Sequence, residues 1–174
     1  MSAREMPLEK EVRRVLASGA SPQDIEAELL AMIHDVFANR IPFNKVLGLD
    51  IISLDGDRPV LGFPMRDELV GNFFHGILHG GVTSAVLDVT GGIVAFLGLQ
   101  RKLVDLPIAE RLERFSKIGT IDLRIDYLRP GKGKSFTATG YALRTGNKVA
   151  VARMELHNDS NDLIAVGTGA YLVG

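Results

Sequence analysis

The sequence predicts an α+β fold in which one long apolar helix is held in a curled antiparallel sheet of about six strands. Residues 80–99 form a 20-residue run with a single charged side chain, Asp88. Two strand-like pieces precede this run and four follow it. A helix that is apolar almost all round must be covered on every side. An antiparallel sheet wrapped around the helix provides that cover.

Length and composition fit one soluble domain. The chain has 174 residues, of which 46% are hydrophobic and 24% charged, enough to bury a core without covalent staples. Its 20 basic and 21 acidic residues give a net charge of −1, so nothing favours a nucleic-acid binder. The absence of cysteine excludes disulfides, thiolate metal sites and a cysteine nucleophile. Because residues 1–10 lack the apolar core of a signal peptide, we expect a cytoplasmic protein.

The apolar run is also long enough to span a bilayer. Asp88 would then lie near the membrane centre, at a cost of about 2.5–3.5 kcal/mol on insertion scales. Five glycines lower the hydrophobicity of the run further, and the sequence has no second candidate span. We therefore expect a buried central helix and no stable membrane insertion.

The remainder of the chain supplies N-terminal helices and the strands of the sheet. Residues 8–18 and 22–40 are predicted to be helices, the second with Pro22 at its first position. A loop is expected over residues 66–78, and a short helix from Pro107 through Phe115. The expected strands are 49–54, 59–64, 120–128, 135–144, 148–158 and 163–173.

Few kinds of active site fit the motifs. The sequence has no Gly-x-Ser-x-Gly elbow, phosphate loop or dinucleotide fingerprint. His75 and His79 are four residues apart but lack the intervening Glu of a zinc motif, so we expect no metal. What remains is an apolar helix that starts with two glycines and carries a lone carboxylate.

The start of that helix and Asp88 together suggest a site for a carbonyl group. Gly80 and Gly81 leave N–H groups unblocked at the positive end of the helix dipole, where anions are favoured. Asp88 suits a general base, but eight residues place it roughly 12 Å along the axis from Gly80. One carbonyl must lie about 3 Å from both groups, so two antiparallel helices in an obligate dimer are expected. The alternative is a structural Asp88 that caps the backbone of a neighbouring chain.

Several stretches of the chain resemble a known family. The block 72–88, with its His79-Gly80-Gly81 motif and Asp88, resembles the PaaI-type branch of the hotdog-fold thioesterases, which hydrolyse acyl-CoA thioesters. The resemblance is strongest to the YigI group of bacterial acyl-CoA thioesterases, and it extends over 119–130, 146–150 and 171–174. It implies a hotdog domain over residues 45–174 and an N-terminal helical extension over residues 1–44.

The resemblance implies a role for each matching residue. Asp88 would be the catalytic carboxylate, as base on water or as direct nucleophile, and the Gly80 amide would polarise the thioester carbonyl. His79 and Asn72 would support the acyl end of the site, and Thr120 would help to hold the attacking water. The implied activity is hydrolysis of medium- to long-chain acyl-CoA in fatty acid metabolism. The enzyme would be a homodimer or a homotetramer, with no cofactor beyond the CoA of its substrate.

Basic residues near strand ends are candidates for binding the CoA phosphates. These are Arg129, Lys132 and Lys148, although a solvated face is the preferred interpretation for any single one of them. Two other functions stay open. One is a hotdog-type enoyl-CoA hydratase or dehydratase with His79 as its base. The other is a non-catalytic acyl-CoA sensor with residues 8–40 as a partner-binding arm.

Overall fold

The fold is described from a computed structural model of the chain. It describes residues 22–54, 56, 58–107, 110–111, 114 and 117–174, so the helix predicted over residues 8–18 lies outside the described residues. In chain order the elements are α1 (Pro22–Asp35), α2 (Pro42–Leu47), β1 (Asp50–Ser53), β2 (Val60–Pro64), β3 (Val70–Asn72), β4 (Ile77–Leu78), α3 (Gly80–Lys102), β5 (Gly119–Tyr127), β6 (Ser135–Thr145), β7 (Val149–Asn158) and β8 (Leu163–Leu172).

Six of these strands form one antiparallel sheet in the order β1-β2-β6-β7-β8-β5. Helix α3 packs on the four strands that follow it in sequence, β5 to β8. The predicted helix covered by a sheet of about six strands is therefore confirmed. All six predicted strands are present, within a few residues of their expected bounds.

Alternation along the strands explains where the core lies. In β7, every second residue from Ala150 to Leu156 is buried, and the residues between them are only partly covered. Apolar side chains of α3, such as Leu87 and Phe96, are fully buried above this face. Helix α3 passes a length-and-composition test for a membrane span, but 67% of its apolar window is buried inside the protein. It is the core helix that the sequence predicts.

The structure differs from the sequence prediction in two places. Strands β3 and β4 form a small hairpin within residues 66–78, which were expected to be a loop. These strands have three and two residues, too few to show an alternating pattern. The helix predicted over residues 22–40 is α-helical only to Asp35 and continues as a π-helical turn, Val36–Arg40.

A polar contact through Arg111 joins α1 to the end of α3. Arg111 is only 5% exposed. Its Nε donates to Gln100 Oε1 at 2.7 Å, and its Nη2 donates to Glu26 Oε2 at 2.9 Å. A buried guanidinium needs a carboxylate partner. Helix α1 supplies that partner, Glu26, and so stabilises the buried Arg111.

We expect the Glu26→Ala variant to lower the free energy of unfolding by about 1–3 kcal/mol, because it leaves a buried donor without its acceptor. Urea unfolding measures the change. The matched control is Asp35→Ala on the same helix, which removes the exposed ion pair with Arg40 and is expected to change nothing measurable. Equal losses in the two variants would contradict the role of Arg111.

Candidate functional site

The start of α3 is capped by His79. Its Nδ1 accepts the Gly81 N–H at 2.8 Å, and its carbonyl accepts the N–H groups of Val82 and Thr83. Because Nδ1 is an acceptor, the neutral ring carries its proton on Nε2. The His79 N–H donates to Leu69 O at 2.8 Å, which ties the cap to the segment before β3.

The two glycines after His79 have different roles. The Gly81 N–H is used by the cap, whereas the Gly80 N–H donates to no acceptor within the described part of the chain. The Gly80 carbonyl accepts the Tyr127 hydroxyl at 2.9 Å, so the end of β5 fixes the first turn of α3. Tyr127 was not predicted to be a site residue. The alternating pattern of residues 120–128 predicts that it faces the helix but not which helical residue it contacts.

Asp88 is half-buried on α3, and its carboxylate has a strand partner. Thr120 Oγ1 donates to Asp88 Oδ1 at 2.8 Å. Strict alternation along residues 120–128 would turn Thr120 away from the helix, on the same face as Asp122. A β-bulge between these two residues leaves Ile121 unpaired and 57% exposed, and it turns Thr120 toward Asp88.

A second strand residue contacts Asp88 on its backbone. The Tyr171 hydroxyl donates to the Asp88 carbonyl at 3.3 Å. Burial raises the pKa of Tyr171 far above its usual value, and the charge of Asp88 and a hydrogen bond with its side chain raise it further. Sequence reasoning missed this contact, although Gly167 and Gly169, on the same face as Tyr171, were a signal that something needs room there.

The remaining predicted residues lie at both ends of the sheet. Asn72 is next to Gly71, which packs on His79, and its Oδ1 accepts the Phe74 N–H at 3.1 Å in the β3–β4 turn. Arg129 and Lys132 lie between β5 and β6, at the Gly80 end, and Arg129 donates to Leu163 O. Lys148 lies between β6 and β7, at the opposite end. The chain therefore does not bring the three candidate cations together.

The predicted site residues form two groups within one chain. His79, Gly80 and Asn72 surround the start of α3, while Asp88 and Thr120 meet two turns further along. One group offers an N–H donor and the other a carboxylate. Among the described residues, no three His, Asp or Glu side chains are grouped so that they could hold a metal ion.

Comparisons with known proteins agree with this architecture. The family model of the thioesterase superfamily matches residues 75–165, more than half of the chain. The medium/long-chain acyl-CoA thioesterase YigI of Escherichia coli (strain K12) is 43% identical over 147 residues, covering 84% of this chain and 95% of that protein. The protein of the same name from Salmonella typhimurium is 44% identical over the same share of both chains.

Solved structures show the same fold. A crystal structure from Shewanella oneidensis, described as related to the thioesterase superfamily, superposes with a TM-score of 0.84 at 51% identity. The match covers 86% of this chain and 98% of that one. The long helix on a six-stranded antiparallel sheet is thus the hotdog fold, as the resemblance implied. The chain belongs to the thioesterase superfamily.

Proposed function

We propose that this protein is an acyl-CoA thioesterase that hydrolyses medium- to long-chain acyl-CoA, with Asp88 as its catalytic carboxylate. The observation that carries this proposal is the hydrogen bond from Thr120 to Asp88, which orients the half-buried, only carboxylate of α3. The named activity of the Escherichia coli relative supports the substrate class. The proposed setting, fatty acid metabolism in the cytoplasm, rests on that substrate class alone.

The proposed reaction needs only a carboxylate and an oxyanion donor. As a base, Asp88 takes a proton from water while the water oxygen attacks the thioester carbon. As a nucleophile, it attacks that carbon itself, and water then hydrolyses the anhydride. A carboxylate has about four acceptor positions, so the Thr120 bond leaves room for either route. The tetrahedral intermediate expels the CoA thiolate, a good leaving group, so no cofactor is required.

The proposed oxyanion donor is the Gly80 N–H of a second protomer. Eight residues separate Gly80 from Asp88 along α3, which is roughly 12 Å, too far for both to serve one carbonyl. Strand β5 is an edge of the sheet and exposes Ile121 and Tyr127, each more than half accessible, to a partner. An antiparallel homodimer, which can pair further into a tetramer, would bring the two groups together at two shared sites.

The same dimer would bring the separated basic residues to one CoA-binding site. Arg129 and Lys132 lie at the Gly80 end of the sheet, and Lys148 lies at the Asp88 end. In an antiparallel dimer these ends meet, so Arg129 and Lys132 of one protomer and Lys148 of the other would flank one CoA. His79 and Asn72, both exposed beside Gly80, are proposed to support the acyl end of that site.

We expect Asp88→Asn to lower hydrolysis by roughly 10²–10⁴-fold, the usual loss when a general base is removed. The measurement is release of free thiol from acyl-CoAs of graded chain length, with the wild type most active on medium and long chains. The size of the particle by light scattering should not change. A folded Asp88→Asn protein with wild-type turnover would sink the mechanism. If the wild type binds acyl-CoA without releasing thiol, the protein is better explained as a non-catalytic acyl-CoA sensor. If it hydrates an enoyl-CoA, it is better explained as a hydratase.

Gly80→Pro removes the proposed oxyanion donor at a position where the helix accepts proline. Proline is well tolerated at the first position of a helix, and His79, at φ −66° and ψ 134°, already has the backbone that precedes proline. We expect Gly80→Pro to be folded and nearly inactive. Gly80→Ala keeps the N–H, and its methyl group would make an ordinary contact with Tyr127 at 3.5 Å, so this control should remain active.

Mixing the two inactive variants tests whether the sites are shared. A mixed dimer of Asp88→Asn and Gly80→Pro chains has one intact site, made of Gly80 from one chain and Asp88 from the other. Random exchange of protomers should restore about a quarter of the wild-type activity, because half of the dimers are mixed and each has one of its two sites. Activity that stays at the level of the separate variants after exchange would exclude shared sites.

A further inference from the structure

Tyr171 brings a buried hydroxyl to the turn of α3 that carries Asp88. Its side chain is 1% exposed, and the hydroxyl donates to the Asp88 carbonyl at 3.3 Å. Burial, followed by the charge of Asp88 and a hydrogen bond with its carboxylate, raises the pKa of Tyr171. The hydroxyl is therefore a protonated donor throughout the pH range in which an esterase works.

Two glycines make the room for this hydroxyl. A Cβ at Gly91 of α3 would clash with the Tyr171 hydroxyl, and a Cβ at Gly169 of β8 would lie 2.7 Å from it. Glycine is the least favoured residue after proline in a helix interior, yet Gly91 stands there, opposite the tyrosine. Both the helix and the strand therefore have glycine where the Tyr171 hydroxyl lies between them.

The register of the sheet links Tyr171 to the other partner of Asp88. Thr120 and Tyr171 are paired residues across β5 and β8. From this one cross-strand pair, Thr120 donates to the carboxylate of Asp88 and Tyr171 donates to its backbone carbonyl. The bulge at Ile121 is what allows both side chains to face the same helical turn.

We propose that Tyr171 is a positioning residue. It holds the turn of α3 that carries Asp88 in the position, relative to β5, in which Thr120 can orient the carboxylate. The inference rests on the proposed catalytic role of Asp88. Tyr171 is buried and contacts Asp88, so it is proposed to act through that residue. Its loss should let the helical turn move relative to β5, which weakens the Thr120 bond and misplaces the carboxylate while the substrate still binds.

The test is the Tyr171→Phe variant, which removes the hydroxyl and keeps the ring in the core. We expect kcat to fall by about ten-fold with KM changed less than about two-fold, because a misplaced carboxylate affects the transition state and not binding. The matched control is Tyr141→Phe on β6, where the ring lies 4.7 Å from the Arg58 guanidinium and away from Asp88. This control should keep the wild-type kcat.

A double variant with Thr120→Val shows whether the two hydroxyls act together. If both position Asp88, the losses in kcat will be clearly less than multiplicative. Urea unfolding gives the folded fraction, by which kcat is corrected. A corrected Tyr171→Phe kcat equal to that of the wild type would leave Tyr171 with a packing role only and overturn the proposal.

Gly169→Ala provides a second route to the same displacement if the phenylalanine variant does not fold. It retains Tyr171 but crowds its hydroxyl, and the same selective fall in kcat is expected; an unchanged kcat would overturn the proposal. The outcome is separable from that of the proposed function. Hydrolysis by Asp88→Asn contradicts the function, whereas an active Tyr171→Phe beside an inactive Asp88→Asn contradicts only the positioning role.

Discussion

The need to cover an apolar helix on every side organises this protein. The last part of α3 is buried without a break from Ile93 to Gln100. The first part keeps a strip of exposed or partly covered positions on one side, which consists of Gly81, Ser84, Ala85, Asp88, Val89 and Gly92. Asp88, the one carboxylate of α3, lies on this strip. The proposed catalytic carboxylate thus lies where the described residues cover the helix least.

Much of this architecture follows from the sequence by simple periodicity. The apolar run with its single charged residue predicts α3, and alternation predicts each strand of the main sheet, as in β7. The distance between Gly80 and Asp88 follows from the rise per residue of an α-helix. The small β3–β4 hairpin escapes prediction because its strands are shorter than one period of the signal.

The partners of the site residues are harder to predict, because they depend on which strands pair and in what register. Tyr171 meets Asp88 across 83 positions of sequence, and Tyr127 meets Gly80 across 47. Alternation gives the face of a side chain but not its neighbour on the next element. Alternation even predicts the wrong face for Thr120, because a two-residue pattern does not reveal a β-bulge. Likewise, Lys132 and Lys148 are near in sequence but lie at opposite ends of β6.

The bulge in β5 has a consequence for how relatives are compared. It makes the stretch from Thr120 to Leu123 one residue longer than a regular strand needs in order to present both side chains to the helix. In a homologue whose β5 is regular, the residue facing the helical carboxylate stands two positions before the counterpart of Leu123, not three. An alignment without a gap at Ile121 would therefore equate the carboxylate-binding hydroxyl with a residue that points to solvent.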